Sequence, residues 1–439
     1  MLNKIKSLQN NTGFMKYFKN TSWLMIEKVT RIIAALVIGV WVTRYLGPTN
    51  FGILTYAQSF VALFAAFSTL GLNVLLVREL VLKPKDKYVL LGTAFTLQTL
   101  GSIVLMVLLF VAITVNDNEE LTNKIILIIG SLTFLNSFNV IGSYFQSVVK
   151  NKLPAILGVL GLVLSSIMKI ILIFSEAPLL YFVYVLAIDI IFLTIGTLYI
   201  YSLNKQQLAK WRFSRAKAKA LLSDSWPLIL NVIFISIYMQ IDRVMIKEIL
   251  DQTSVGQYSA AVTLSQAWYF VPAIICTSLF PAIVNAKKMN ATLYYSRLQK
   301  LYNLMAIIGL SIAIPVTFLS DWIIEFLYGK EFYPTAEVLT IHIWAGVFVF
   351  LGVAVSKWVL TENLQRIGSA NLFIGMLSNV GLNFILIPKY GISGAAMATL
   401  VSQSISVLFA PMLFKKTRPS SIMMLKALCL FSFWRKSSN

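Results

Sequence analysis

Apolar runs of about 20 residues recur from one end of this chain to the other, each long enough to cross a ~30 Å hydrocarbon core as a helix. In hydrocarbon, every backbone N–H and C=O must find its partner within the chain. A repeated pattern of this kind therefore commits the fold to membrane-spanning α-helices. Twelve spans are read, at 20–43, 51–77, 88–114, 125–148, 153–174, 179–203, 226–246, 255–284, 301–320, 335–360, 368–388 and 391–414. Charged residues make up only 12% of the chain and hydrophobic ones 58%, whereas a soluble domain carries roughly 25% charged residues. The expected class is an all-α integral membrane protein.

A formal charge of +20 would ordinarily suggest nucleic acid as a partner. Here Lys and Arg gather in short segments between the apolar runs, which is the pattern of cytoplasmic loops, and no nucleic-acid partner is expected. With residue 1 inside, 27 bases fall in inside segments and five (Arg44, Lys124, Lys247, Lys330 and Lys389) in outside ones. Acids lean outward, as in "NDNEE" at 116–120. Both termini are thus expected in the cytoplasm. The first 20 residues hold Lys4, Lys6, Lys16 and Lys19 but no apolar stretch followed by a small-residue cleavage site, so no cleaved signal peptide is expected. Cys276 and Cys429 lie far apart without metal-ligand spacing and read as apolar fillers.

The chain divides near its middle. The stretch "NKQQLAKWRFSRAKAKALLSDS" (204–225) is the longest inside loop and carries six bases with Trp211 and Phe213. Two readings of it stand, a short amphipathic helix on anionic headgroups and a solvated connector. On either side lie six spans, an N-lobe over 1–203 and a C-lobe over 226–439 with a short basic tail. "LGPTNFGILTYA" (46–57) aligns with "LDQTSVGQYSAA" (250–261) at a constant offset, and Trp23 and Trp226 open the preceding spans. Six spans separate the copies, so they keep the same orientation. Parallel repeats of this kind build transporters with a central cavity between the halves.

Enzyme signatures are weak: the chain has no HExxH, nucleophile elbow, P-loop or CxxC pair. The single histidine, His342, reads as a packed or hydrogen-bonded residue. Ionisable groups inside spans are more informative, because each costs roughly 2.5–3.5 kcal/mol on insertion scales unless it is paired or faces a cavity. Glu27, Lys28 and Arg31 crowd the first turns of span 1. Glu27 and Arg31 are i,i+4 neighbours able to pair, and the same face continues into Ala35 and Gly39. Asp189 sits mid-span and needs a partner, from span 1 or Lys169. Asp242 and Arg243 are adjacent in span 7 and point to different faces. Asn379 and Asn383 add a polar face suited to sugar hydroxyls or to bridging helices. Pro272 and Pro315 are expected to kink spans 8 and 9. On this reading Arg31, Lys28, Glu27, Arg243, Asn379 and Asn383 are candidate substrate-binding residues, and Asp189 and Asp242 candidate ion-coupling residues.

"LNFILIPKYGISGAAMATLVSQ" (382–403), "RYLGPTNFGILTYAQS" (44–59) and "LYGKEFYPTAEVL" (327–339) resemble segments of the polysaccharide flippases, within the multidrug/oligosaccharidyl-lipid/polysaccharide exporter superfamily, and most of all its O-antigen (Wzx-like) group. The resemblance covers essentially the whole chain. It implies a flippase, not an enzyme, of the bacterial cytoplasmic (inner) membrane. Such a protein moves a lipid-linked oligosaccharide, usually on undecaprenyl pyrophosphate, to the outer face by alternating access, for surface polysaccharide biosynthesis. Its partners would be that lipid-linked glycan, membrane lipids and other polysaccharide assembly proteins. No cofactor is implied, and coupling to a proton or sodium gradient is compatible with the cycle. Lys28 and Arg31 then suit a pyrophosphate, which arginine grips in bidentate fashion. A multidrug or cation antiporter on the same fold is the main alternative. A membrane glycan polymerase or ligase is a third, disfavoured by the short outside loops.

Overall fold

The computed structural model describes residues 12–429, which are helical with no strand among them. The helices run in the order α1 (Thr12–Thr69), α2 (Leu72–Leu82), α3 (Lys87–Val115), α4 (Glu120–Ser131), α5 (Thr133–Asn136), α6 (Val140–Ser147), α7 (Lys152–Phe174), α8 (Leu179–Leu203) and α9 (Arg215–Ile249). They continue with α10 (Gln252–Gln266), α11 (Phe270–Met289), α12 (Ala291–Tyr328), α13 (Thr335–Thr361), α14 (Gln365–Ser404), α15 (Ala410–Leu413) and α16 (Arg418–Leu428). Ten helical runs among the described residues are long and apolar enough to cross a membrane. Two of them, Glu27–Leu82 with 56 residues and Gln365–Leu413 with 49, are far longer than one crossing needs. Each bends at a glycine with positive φ, Gly47 at 69° in α1 and Gly391 at 59° in α14, conformations that a side chain would oppose. Counting the arms of the two bent runs separately gives the twelve crossings expected from the apolar pattern. The helix breaks over 267–269, just before Pro272, which sits in the first turn of α11, where proline is tolerated. α12 runs unbroken through Pro315.

The chain forms two compact units, residues 1–45 with 57–236 and residues 46–56 with 237–439. In unit 1 the core gathers Leu76, Leu90, Leu91, Tyr144, Phe145 and Tyr201. Large apolar side chains such as Val107, Phe110 and Ile171 stand exposed, as helices that face lipid require.

The basic stretch after α8 belongs to unit 1; its first half is a docked strap and its second half, from Arg215, is the start of α9. After one 3-10 turn residues 211–214 lie outside any helix and are seated on α3. Trp211 packs against Phe95 and donates its indole N–H to the Tyr201 hydroxyl at 3.1 Å. The Arg212 N–H donates to the Tyr88 carbonyl at 3.3 Å, the Ser214 N–H to Thr93 Oγ1 at 3.1 Å, and Lys217 pairs with Asp86 at 2.7 Å. Gly92 makes this approach possible, since a Cβ there would lie 2.7 Å from the Arg212 nitrogen and 2.8 Å from its oxygen. A valine at position 92 should lift the strap. Overpacking costs about 1–3 kcal/mol, so trypsin should cut detergent-solubilised Gly92→Val at Lys210 and Arg212 roughly tenfold faster than the parent. Equal cleavage rates would show that this contact does not hold the strap.

In unit 2 the core gathers Tyr302, Met305, Phe350, Leu351 and Trp358. This unit also contains the two copies of the sequence repeat, packed on each other like with like. Thr49 and Thr253, 204 positions apart, join their hydroxyls at 2.9 Å. A Cβ on Gly52 would overlap the Gln252 carbonyl oxygen, and a Cβ on Gly256 would overlap the Pro48 carbonyl oxygen. Glycine at both places lets the two backbones touch. The repeat first seen as an alignment is thus a reciprocal helix crossing. Tyr56 closes one flank, donating to Glu248 at 3.2 Å beneath the Lys247 ammonium.

Candidate functional site

The strongest candidate lies inside unit 2, around Asp242 on α9. This carboxylate is only 5% exposed. Its Oδ1 accepts from Asn383 Nδ2 at 2.7 Å. Its Oδ2 accepts from the hydroxyls of Tyr258 at 2.6 Å and Thr399 at 2.7 Å. α10 supplies Tyr258, and α14 supplies Asn383 and Thr399 from its two sides of the Gly391 bend. Asn379, one turn before Asn383, completes the floor, with its Oδ1 at 3.4 Å from Asn383 Nδ2.

Among the described residues, no cation lies within ion-pair distance of Asp242. Arg243, its neighbour in sequence, makes no ion pair with it, donating instead through Nε to Ser259 at 3.0 Å and through Nη1 to Gln240 at 2.9 Å. The buried carboxylate is thus satisfied by neutral donors rather than by an opposite charge in contact. The surroundings are rich in oxygen. The Thr399 hydroxyl also reaches the Ala395 carbonyl at 3.1 Å, and Asn383 Oδ1 and Asn379 Nδ2 are buried without a hydrogen-bond partner. A hard monovalent cation or a proton is what such a set can take up. A cavity of about 20 Å³ is bordered by both Asp242 and Arg243, with Tyr258, Gln266, His342 and Thr399 also in its wall, which is room for one water or small ion. His342 is buried and hydrogen-bonded, its Nδ1 at 2.9 Å from Ser265 Oγ, with its ring edge-on to Tyr258.

Asn379 and Asn383 are both fully buried, so in this structure they face the carboxylate and offer nothing to a sugar hydroxyl. Tyr258, Thr399, Tyr238 and Ser402 are members of the network that the sequence reading did not single out. Tyr238 and Ser402 extend it by a hydroxyl contact of 3.2 Å. The only sequence signal for them is hydroxyl groups at helical spacing, Thr399 and Ser402, next to small Ala395 and Ala396.

Unit 1 holds the other charges. Arg31 and Glu27 form the expected i,i+4 pair at 3.2 Å, with the Arg31 side chain 44% exposed and Glu27 25%. Glu27 packs over Gly158 of α7, where a Cβ would sit 2.6 Å from its Oε1. Lys28 is exposed on the same helix. Asp189 on α8 lies beside Gly161, and its Oδ1 is buried without a hydrogen-bond partner. Lys169 acts on it only through space, and among the described residues Asp189 has no ion-pair partner.

Residues 17–287 match the family described as polysaccharide biosynthesis protein. The chain belongs to that family. Among curated proteins it is similar to the capsular polysaccharide biosynthesis protein CapF of Staphylococcus aureus, at 21% identity over 89% of this chain and 97% of that protein. It is also similar to the probable low-salt glycan biosynthesis flippase Agl15 of Haloferax volcanii, at 24% identity over 38% of this chain and 36% of that one. Among solved structures, the lipid II flippase MurJ in an inward closed conformation superposes with a TM-score of 0.71 at 17% identity, covering 96% of this chain and 93% of that one. An inward-facing multidrug resistance MATE transporter gives 0.68 at 13% identity, covering 93% and 96%. The fold is that of multi-pass membrane transporters, as the resemblance of the three sequence segments implied.

Proposed function

We propose that this polysaccharide-family protein is a flippase that carries a lipid-linked oligosaccharide, on an undecaprenyl pyrophosphate-type carrier, from the inner to the outer face of the cytoplasmic membrane. The cycle is alternating access with both termini inside, in keeping with the 27-to-5 split of bases. The observation that carries the class of substrate is family membership over 17–287, joined to a flippase-like fold over nearly the whole chain. Asp242 is the coupling residue: loading a proton or sodium ion there discharges a buried carboxylate, and the energy so released is available to favour one conformation over the other. On this reading Asn379, Asn383 and Thr399 belong to the ion site rather than to the glycan. Arg31, helped by Lys28, remains the candidate for the anionic end of the substrate, with Glu27 orienting its guanidinium. Asp189, lacking a salt-bridge partner, is a secondary coupling candidate.

The experiment is depletion of the protein in its own host, followed by separation of inward- and outward-facing lipid-linked glycan. Glycan accumulating on the inner face supports the proposal; export of a cationic drug with normal glycan distribution would support the multidrug antiporter reading, which the MATE likeness keeps in view. In the same assay, Arg31→Ala should lower translocation about tenfold while abundance in the membrane holds, because a half-exposed ion pair contributes only about 0–1 kcal/mol to stability. Arg31→Lys should recover part of the loss, restoring charge without the planar fork. Parallel losses of abundance and transport in Arg31→Ala would make the residue structural.

A further inference from the structure

The end of unit 2 carries a basic groove that plays no part at Asp242. α16 is amphipathic in a particular way. Ser420, Ser421, Met424 and Ala427 are buried, and this side is tied to α12 by a 2.7 Å contact between the Ser420 and Tyr302 hydroxyls and by Gln299 donating to the Met423 carbonyl at 2.9 Å. On the neighbouring side Arg418, Ile422 and Lys426 follow one another at four-residue spacing, all exposed, with Lys415 just ahead of them. Between this side and α12 lies an open groove of about 460 Å³, lined by Lys415, Arg418, Lys426, Ile422, Tyr295 and Gln299 among others. The Arg418 Nε donates to the Met412 carbonyl at 3.2 Å, which fixes the guanidinium at the edge.

Three cations converge on this groove and no carboxylate lines it. Among the described residues, none of the three is in an ion pair. Their mutual repulsion is relieved by an anion, and the groove has the volume of a headgroup site. Pro419, Ile422 and Met423 give the groove an apolar part, and Leu413 and Leu425, close to the basic residues in sequence, are exposed, Leu413 at 71%. A free phosphate would leave those side chains without a role, whereas a lipid covers them with its acyl chains.

We propose that this groove binds the headgroup of an anionic phospholipid, the phosphodiester lying against Lys415, Arg418 and Lys426 and the chains running along Leu413 and Leu425. Basic pockets at the cytoplasmic ends of helices are suited to such lipids.

The test uses the purified full chain in neutral detergent, mixed with phosphatidylglycerol or phosphatidylcholine and read by native mass spectrometry. The parent should retain phosphatidylglycerol and little phosphatidylcholine. The triple variant Lys415→Gln, Arg418→Gln, Lys426→Gln should retain about tenfold less phosphatidylglycerol or lower still. A charge-matched control, Lys205→Gln, Lys210→Gln, Lys219→Gln, should behave as the parent. Should the triple variant aggregate, Lys426→Glu alone must still lower retention at least about threefold. Three results would overturn the proposal: equal loss in the control, equal retention of phosphatidylcholine, or full displacement of phosphatidylglycerol by excess glycerol 3-phosphate. The last would mean a free-phosphate site in which the apolar rim has no part.

Discussion

Asp242→Asn should sharply reduce ion-coupled transport and leave the protein folded in the membrane. The substitution is nearly isosteric. The Asn oxygen still accepts from Asn383, and its new amide can donate to Thr399 or Tyr258, whose hydroxyls accept as readily as they donate. The network survives, but nothing in it binds a proton or cation with a full charge. Removing one charged partner from such a contact costs about 1.5–3 kcal/mol, so translocation driven by the gradient should drop by roughly 10- to 100-fold. Asp242→Ala should behave differently. It strands the donors of Asn383, Tyr258 and Thr399 in a buried site, at about 1–3 kcal/mol each, and abundance should fall along with transport. Comparing the two variants by quantitative membrane immunoblot and by glycan translocation separates coupling from folding. Normal translocation by Asp242→Asn under an unchanged gradient would end the coupling assignment.

The second large effect concerns the reciprocal crossing of the two repeats. The hydroxyls of Thr49 and Thr253 are 2.9 Å apart, so cysteines at both positions lie within disulfide reach. The pair should oxidise readily, and neither single cysteine should give the intramolecular product. Residues 46–56 pack in unit 2 but continue into unit 1 at both ends. A cycle in which the two units move past each other must therefore carry this crossing along intact or break it. If it breaks, the disulfide should stop translocation almost completely, and reductant should restore it. Full activity of the cross-linked protein would show that the crossing stays closed throughout.

The architecture was legible because hydrocarbon leaves so few options. Run lengths and the distribution of Lys and Arg yield the crossings, and the glycine in "LGPTN" marks one of the two bends. Part of the site was legible for a similar reason: a charge such as Asp242 within a span is costly enough to demand explanation. Its partners were not, because Tyr258 and Thr399 reach it from helices far away in sequence, and no local pattern announces that. Asn379 and Asn383 do share a helix face, as their spacing requires, but spacing does not say whether that face meets a sugar or a carboxylate. Asp242 and Arg243, expected on different faces, border one cavity, and the partners of Arg243, Ser259 and Gln240, are a matter of packing. Within 204–225 the docking of residues 211–214 was not legible, because it depends on a missing Cβ at Gly92, which lets the backbone lie on α3.

The crossing of the repeats also bears on origin. Pro48 meets Gly256 as Gln252 meets Gly52, and Thr49 meets its own counterpart. Contacts in which each residue meets its equivalent in exchange are what two identical chains make about a twofold axis. A half-length ancestor with this segment would already have possessed a self-complementary dimer surface. Duplication and fusion of such an ancestor would then have had no interface to invent at this crossing.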